Sequence, residues 1–187
     1  MPRKGEINDR TGERFVNNQG CSFFIVEYNK NNDLWIQFED EFETRVHTRY
    51  DKCLNGSICN PMYRDVYGVG MRCGIKTKVN GKTTKEYSLW NGMLRRCYSK
   101  EYQDKFPTYK GCIVCERWHR FDYFLEDIKN LDGYDLFINN TKPHGIHLDK
   151  DIKGNGSKIY SPETCVFITN EENVKEANSR QKGDVNE

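Results

Sequence analysis

No stretch of this 187-residue sequence approaches the roughly 18 consecutive apolar residues of a membrane-spanning helix, so no such helix is expected. The opening segment, MPRKGEINDRTGERF, has basic side chains but lacks the apolar run of a secretory signal, and a cytoplasmic location is expected. Internal repeats are absent, which removes solenoids and propellers. Apolar residues are scarce at 36% against 30% charged, so any core must be modest and must lean on 3 Trp, 11 Tyr and 10 Phe. The length fits one ordinary domain or two small ones. Eight cysteines are present, and in a reducing compartment they are expected to be buried or metal-bound rather than disulfide-paired.

A net charge of +1 conceals an uneven distribution. Residues 1–70 hold 9 Lys/Arg against 11 Asp/Glu, residues 71–120 hold 12 against 4, and residues 121–187 hold 8 against 13. A basic middle between acidic flanks either contacts phosphates locally or forms a solvated Lys-rich face.

Residues 1–19 are polar and aperiodic and are expected to form a flexible arm. CSFFIVEY (21–28), LWIQFED (34–40) and ETRVHTRY (43–50) follow as β-rich runs, the first two joined by a hairpin signal, NKNND. They define a small antiparallel region over 20–70, with turn-rich joins between residues 55 and 75. GIKTKVNGKTTK (74–85) then signals a Lys-rich hairpin around NGK. EYSLWNGMLRRCY places Leu89, Met93 and either Arg96 or Cys97 at helical spacing, with Tyr87, Trp90, Leu94 and Cys97 completing a broad face. ERWHRFDYFLEDIKNL predicts a second helix with Trp118, Phe121, Phe124, Leu125 and Ile128 inward. LDGYDLFINNTKPHG is expected as a loop, a last short helix is expected over about 170–177, and residues 179–187 are expected to be frayed. The fold class is therefore α+β.

Three pieces taken together carry a resemblance: LWNGMLRRCY (89–98), YKGCIVCERWHRFDYFLEDI (109–128) and IHLDKDIKGNGSKIYSPETCVFIT (146–169). In combination they resemble a group of phage proteins related to HNH (His-Me finger, ββα-metal) homing and restriction endonucleases. These share a W-x-x-M-x-x-R-C-Y helix, a V-C-x-x-W segment, and an Asp-Arg or Asp-Lys strand end followed by Y-S-P-E-N-C. The resemblance spans about residues 85–175 and implies an HNH-like domain over 71–178. It also implies double-stranded DNA as partner and a metal-dependent phosphodiester cut as the activity. Asp149 stands where that pattern has a metal-holding Asp, and Lys150 stands where it has the general-base His. Thr164 falls at the middle Asn, and Asn173 at the last His or Asn. Asp149 and Asn173 could then share one Mg²⁺ between oxygen ligands.

The departure from the pattern is chemical. A His with pKa near 6.5 is largely neutral at neutral pH, whereas a Lys near 10.4 is neutral in only about one molecule in a few thousand. Tyr160 matches a Tyr that some relatives with Arg at the His position keep near the scissile phosphate. Lys150 would then serve as a cation for that phosphate. From the residues alone the stretch reads differently: Asp149 and Asp151 fall on a solvent face with Leu148 and Ile152 inward. The alternative function is a catalytically degenerate nuclease scaffold acting as a binding protein, such as a phage inhibitor of a host defence nuclease.

Cys112 and Cys115 form one C-x-x-C. With Cys97 and Cys165, or with His119 replacing one thiol, they are candidates for a structural Zn²⁺ site. The other reading is small buried hydrophobes. Lys76, Lys78, Lys82, Lys85, Arg95 and Arg96 are the candidate DNA-phosphate contacts, which would position the protein rather than specify a sequence.

Overall fold

The computed structural model describes residues 8–141, 145–154, 156–172 and 174–175. The chain divides after Tyr63 into two compact units, Met1–Tyr63 and Arg64–Glu187. It is mixed α and β, with a β-rich N-terminal unit. No helix among the described residues is long and apolar enough to cross a membrane.

The first unit is a four-stranded antiparallel meander of β1 (Arg14–Val16), β2 (Ser22–Lys30), β3 (Asp33–Phe38) and β4 (Arg45–Thr48), paired in chain order. Period-two patterning buries Phe23 and Ile25 on β2 and Leu34, Ile36 and Phe38 on β3. Helix α1 (Tyr50–Leu54) adds Cys53 to this core. The expectation of a flexible arm through residue 19 does not hold for residues 14–16. Phe15 stacks on Phe23 with ring centroids 5.6 Å apart, and the Asn17 side chain accepts from the Cys21 N–H and donates to the Ile58 carbonyl. One half-buried aromatic and one Asn bracket therefore convert a polar tail into an edge strand.

The second unit begins with two short hairpins. β5 (Arg64–Val66) pairs with β6 (Gly70–Met71), and β7 (Lys78–Val79) pairs with β8 (Lys82–Thr83). The β7–β8 turn is the expected Asn80–Gly81, both residues at positive φ, the backbone that a two-residue hairpin requires. Helix α2 (Lys85–Tyr98) follows, its start capped by the Thr84 hydroxyl, which accepts from the Tyr87 N–H. Trp90, Met93, Leu94 and Cys97 are buried on its inner face, as the spacing predicts. The inner face packs closely on Gly70, where a Cβ would lie 2.6 Å from Leu94 Cδ1.

Helix α3 (Lys100–Lys105), a 3-10 turn (Pro107–Tyr109) and β9 (Ile113–Val114) lead to the segment expected as one long helix. It is instead a 3-10 turn (Glu116–His119) and helix α4 (Phe121–Ile128), broken at Arg120. Arg120 is extended, with φ −90° and ψ 124°, because its backbone bridges to Met71. Trp118 is pinned from both ends: its Nε1 donates to Asp127 at 2.9 Å, and its carbonyl accepts from Trp90 Nε1 at 2.7 Å.

The expected loop after Leu131 contains helix α5 (Tyr134–Asn139), whose Tyr134 and Phe137 pack on Phe167 at one-turn spacing. Strand β10 (Ile146–Asp149), helix α6 (Asp151–Gly154), β11 (Ile159–Tyr160) and β12 (Val166–Thr169) complete the unit. Residues 170–172 and 174–175 are helical; the rest of the expected last helix, the tail over 179–187 and the first seven residues lie outside the described residues.

The Trp90–Trp118 bond yields a direct prediction. Trp90→Phe keeps most of the ring volume but leaves the buried Trp118 carbonyl without its donor, which should cost about 1–3 kcal/mol. Urea unfolding followed by circular dichroism should show a lower midpoint with an unchanged slope; an unshifted midpoint would show that the bond contributes nothing.

Candidate functional site

Strands β10 and β12 pair antiparallel with Asp149 opposite Val166, and the chain turns helical directly after β12. The strand pair thus ends at the Asp149–Lys150 step. The surface-face reading of this step does not hold: Asp149 and Lys150 are only 7% and 6% exposed. The reason is local, since β10 stops at Asp149 and its carboxylate begins the next helix. Asp149 Oδ1 accepts from the Asp151 and Ile152 N–H groups, both at 2.8 Å. Lys150 Nζ donates to Asp151 Oδ1 at 2.5 Å and lies 5.6 Å from the centre of the Tyr160 ring.

Tyr160 is held by a parallel bridge between β11 and β9, and its carbonyl accepts from the Cys115 N–H at 2.9 Å. The Arg96 guanidinium, on the last turn of α2, stands 5.5 Å from the same ring and 5.8 Å from the Tyr109 ring. One buried phenol is therefore flanked by two cations. Burial pushes the Tyr160 hydroxyl far above its usual range, more strongly than the neighbouring Arg96 lowers it. Arg96 Nε is buried without a hydrogen-bond partner among the described residues.

Thr164, at the position of the pattern's middle Asn, is committed to the turn that follows β11. Its hydroxyl donates to the Ile159 carbonyl at 2.7 Å and accepts from the Ser161 N–H. Asn173 lies outside the described residues. The described oxygen donors do not by themselves fit a magnesium site: Asp149 is one carboxylate, with one oxygen already shared by two backbone N–H groups, and its sequence neighbour is an ammonium.

Cys97, Cys112 and Cys165 are buried in one core, with Cys115 packed against it. They do not converge into a cage: among the described residues no group of three or more His, Cys, Asp or Glu is placed to hold a metal. Burial pushes the Cys97 and Cys165 thiols up to about 12 and raises that of Cys115. In the metal-free protein this favours the protonated thiols. His119 bonds the Tyr98 hydroxyl at 3.0 Å, and burial depresses its pKa.

The basic residues separate into two sets. Lys76, Lys78, Lys82 and Arg95 are exposed, the lysines on or beside the β7–β8 hairpin and Arg95 over the Tyr102 ring. Lys85 is spent within the fold, its Nζ donating to the Ile138 and Asn140 carbonyls at the end of α5. Arg96 turns inward to the two tyrosines. Sequence reading did not single out Tyr109 or His147; the one available signal for His147 was its place two residues before Asp149 on the same strand. Compared with family models, curated proteins and solved structures, the chain matches none of them.

The capping role of Asp149 is open to a paired test. Asp149→Ala should lower stability by about 0.5–2 kcal/mol, whereas Asp149→Asn, an equally good cap, should stay close to wild type in thermal melts. Equal losses in both variants would reject capping as the role of this carboxylate.

Proposed function

We propose that the Arg64–Glu187 unit is an HNH-like scaffold of the phage-protein type, binding the phosphate backbone of double-stranded DNA without an efficient catalytic base. The observation that supports it most is the pair of cations, Arg96 and Lys150, on either side of the Tyr160 ring, Lys150 directly following β10. A guanidinium whose buried Nε has no hydrogen-bond partner among the described residues would be stabilised by an anion that reached it. The exposed lysines of the β7–β8 hairpin supply the non-specific attraction that brings a polyanion to the same unit.

The same geometry argues against efficient hydrolysis. Proton abstraction from water needs a group that is unprotonated and free near neutral pH. Lys150 Nζ is engaged by Asp151 Oδ1, and burial favours the protonated form of the Tyr160 hydroxyl. Both side chains are then phosphate holders and not bases.

Two measurements on one preparation test this. Binding to a labelled duplex should weaken steeply with salt, and a Lys76→Gln, Lys78→Gln, Lys82→Gln triple variant should flatten the log–log salt slope by about 2–3 units. Supercoiled plasmid incubated with Mg²⁺ or Mn²⁺ should stay intact. Cutting that Asp149→Ala abolishes would replace this reading with an active endonuclease. Absence of salt-sensitive binding would reject DNA as the partner and direct attention to a protein, such as a host defence nuclease.

A further inference from the structure

Helix α3 poses a packing question, because none of its six residues is buried. So short a helix gains little from its own hydrogen bonds, and most helices are held by an apolar face against a core. This one is held by polar contacts at its start. The Ser99 hydroxyl accepts from the Tyr102 N–H, and the Gln103 side chain donates to the Cys97 carbonyl at 2.6 Å and to the Arg96 carbonyl. Further along, Tyr109 packs against the core, whereas the Phe106 ring stays at the surface against Tyr102.

Tyr102 stands at the centre of this surface. Its ring lies 4.7 Å from the Phe106 ring and 5.8 Å from the Tyr109 ring, and the Arg95 guanidinium stands 4.7 Å from it. Phe106 is 40% exposed, with the Lys105 ammonium 5.6 Å from its ring. Arg95, Lys105 and Lys110 are exposed as well. Lys110 pairs with Asp104 at 3.7 Å, an exposed contact that a phosphate can replace. Residues 95–110 carry five Lys/Arg against two Asp/Glu, a net of +3. An exposed ring held in place among cations matches an unpaired strand, whose bases stack on rings while its phosphates meet the cations. In a duplex the base faces are already covered by their neighbours, and such a ring adds nothing.

We infer that this surface binds single-stranded DNA, with a base stacked on Phe106 and the flanking phosphates on Arg95, Lys105 and Lys110. Tyr109 joins the surface to the Arg96 guanidinium, 5.8 Å from its ring, so the strand lies beside the phosphate site of the proposed function. The choice of DNA over RNA rests on that proposal; the stacking does not.

Fluorescence anisotropy with a labelled oligothymidylate of about 12 nucleotides, and with a duplex of equal length, tests the inference. Phe106→Ala should weaken single-strand binding by about fivefold or more, while duplex binding changes by less than about twofold. Because Phe106 is exposed, the melting temperature of this variant should stay at the wild-type value. Phe106→Trp should keep single-strand affinity, and the emission it adds over wild type should be quenched as the strand binds. No oligothymidylate binding by wild type, equal losses for strand and duplex in Phe106→Ala, or unquenched added emission at saturation would each overturn the inference. Tighter binding of oligouridylate than of oligothymidylate would overturn it too, in favour of RNA. Wild type that binds the strand but not the duplex would support this inference and reject the duplex proposal alone.

Discussion

The buried hydrogen bond from Trp90 Nε1 to the Trp118 carbonyl is the contact on which the second unit's geometry depends. Both indoles are fully buried, so neither group has water as a fallback and each is satisfied only when α2 and the 3-10 turn stand in one relation. Around that bond the rings of Tyr87, Phe121 and Phe124 pack edge-on or tilted, giving the direction that aliphatic side chains alone would not. Once α2 is anchored, two turns further along the helix Arg96 is carried to the Tyr160 and Tyr109 rings, and Gly92 is left facing open space.

The electrostatics follow from that placement. Lys150 has Asp151 as its counterion, whereas the Arg96 guanidinium stands over the Tyr160 and Tyr109 rings with its buried Nε lacking a hydrogen-bond partner among the described residues. A guanidinium stacked on phenol faces is partly stabilised by their negative π-surfaces, but its N–H groups still seek acceptors in the ring plane. Phosphate oxygens satisfy that need directly. The buried phenol between the cations contributes a surface and not a base, because the burial that positions it also opposes its ionisation. On the proposed reading the arrangement holds an anion rather than cutting one.

Elements set by local pattern were legible in the sequence. The three longer strands of the first unit show period two, Asn80–Gly81 is a turn by its own backbone chemistry, and the apolar face of α2 repeats at helical spacing. The missed features depend on distant partners. Strand β1 forms because Phe15 finds Phe23 and Tyr50, and α5 forms because Tyr134 and Phe137 find Phe167. The helix break at Arg120 depends on a bridge to Met71. For the site, sequence marked Asp149, Lys150 and Tyr160 as a group, yet it could not show that Asp149 is buried as a helix cap. Nor could it show that Lys85 is consumed by carbonyls more than 50 residues away, or that Arg96 rather than the hairpin lysines stands beside Tyr160.

The central claim is that Arg96 is a guanidinium placed to receive a phosphate. Nitrogen-15 NMR of the arginine Nε–H groups, with Arg96 assigned through Arg96→Lys, reads this directly while a short 5′-phosphorylated DNA duplex is added. The Arg96 resonance should shift and its exchange with water should slow, while that of Arg10 in the first unit stays in place. An Arg96 signal that does not move at saturating DNA, with changes confined to Lys78 and Lys82 on the hairpin, would contradict the claim.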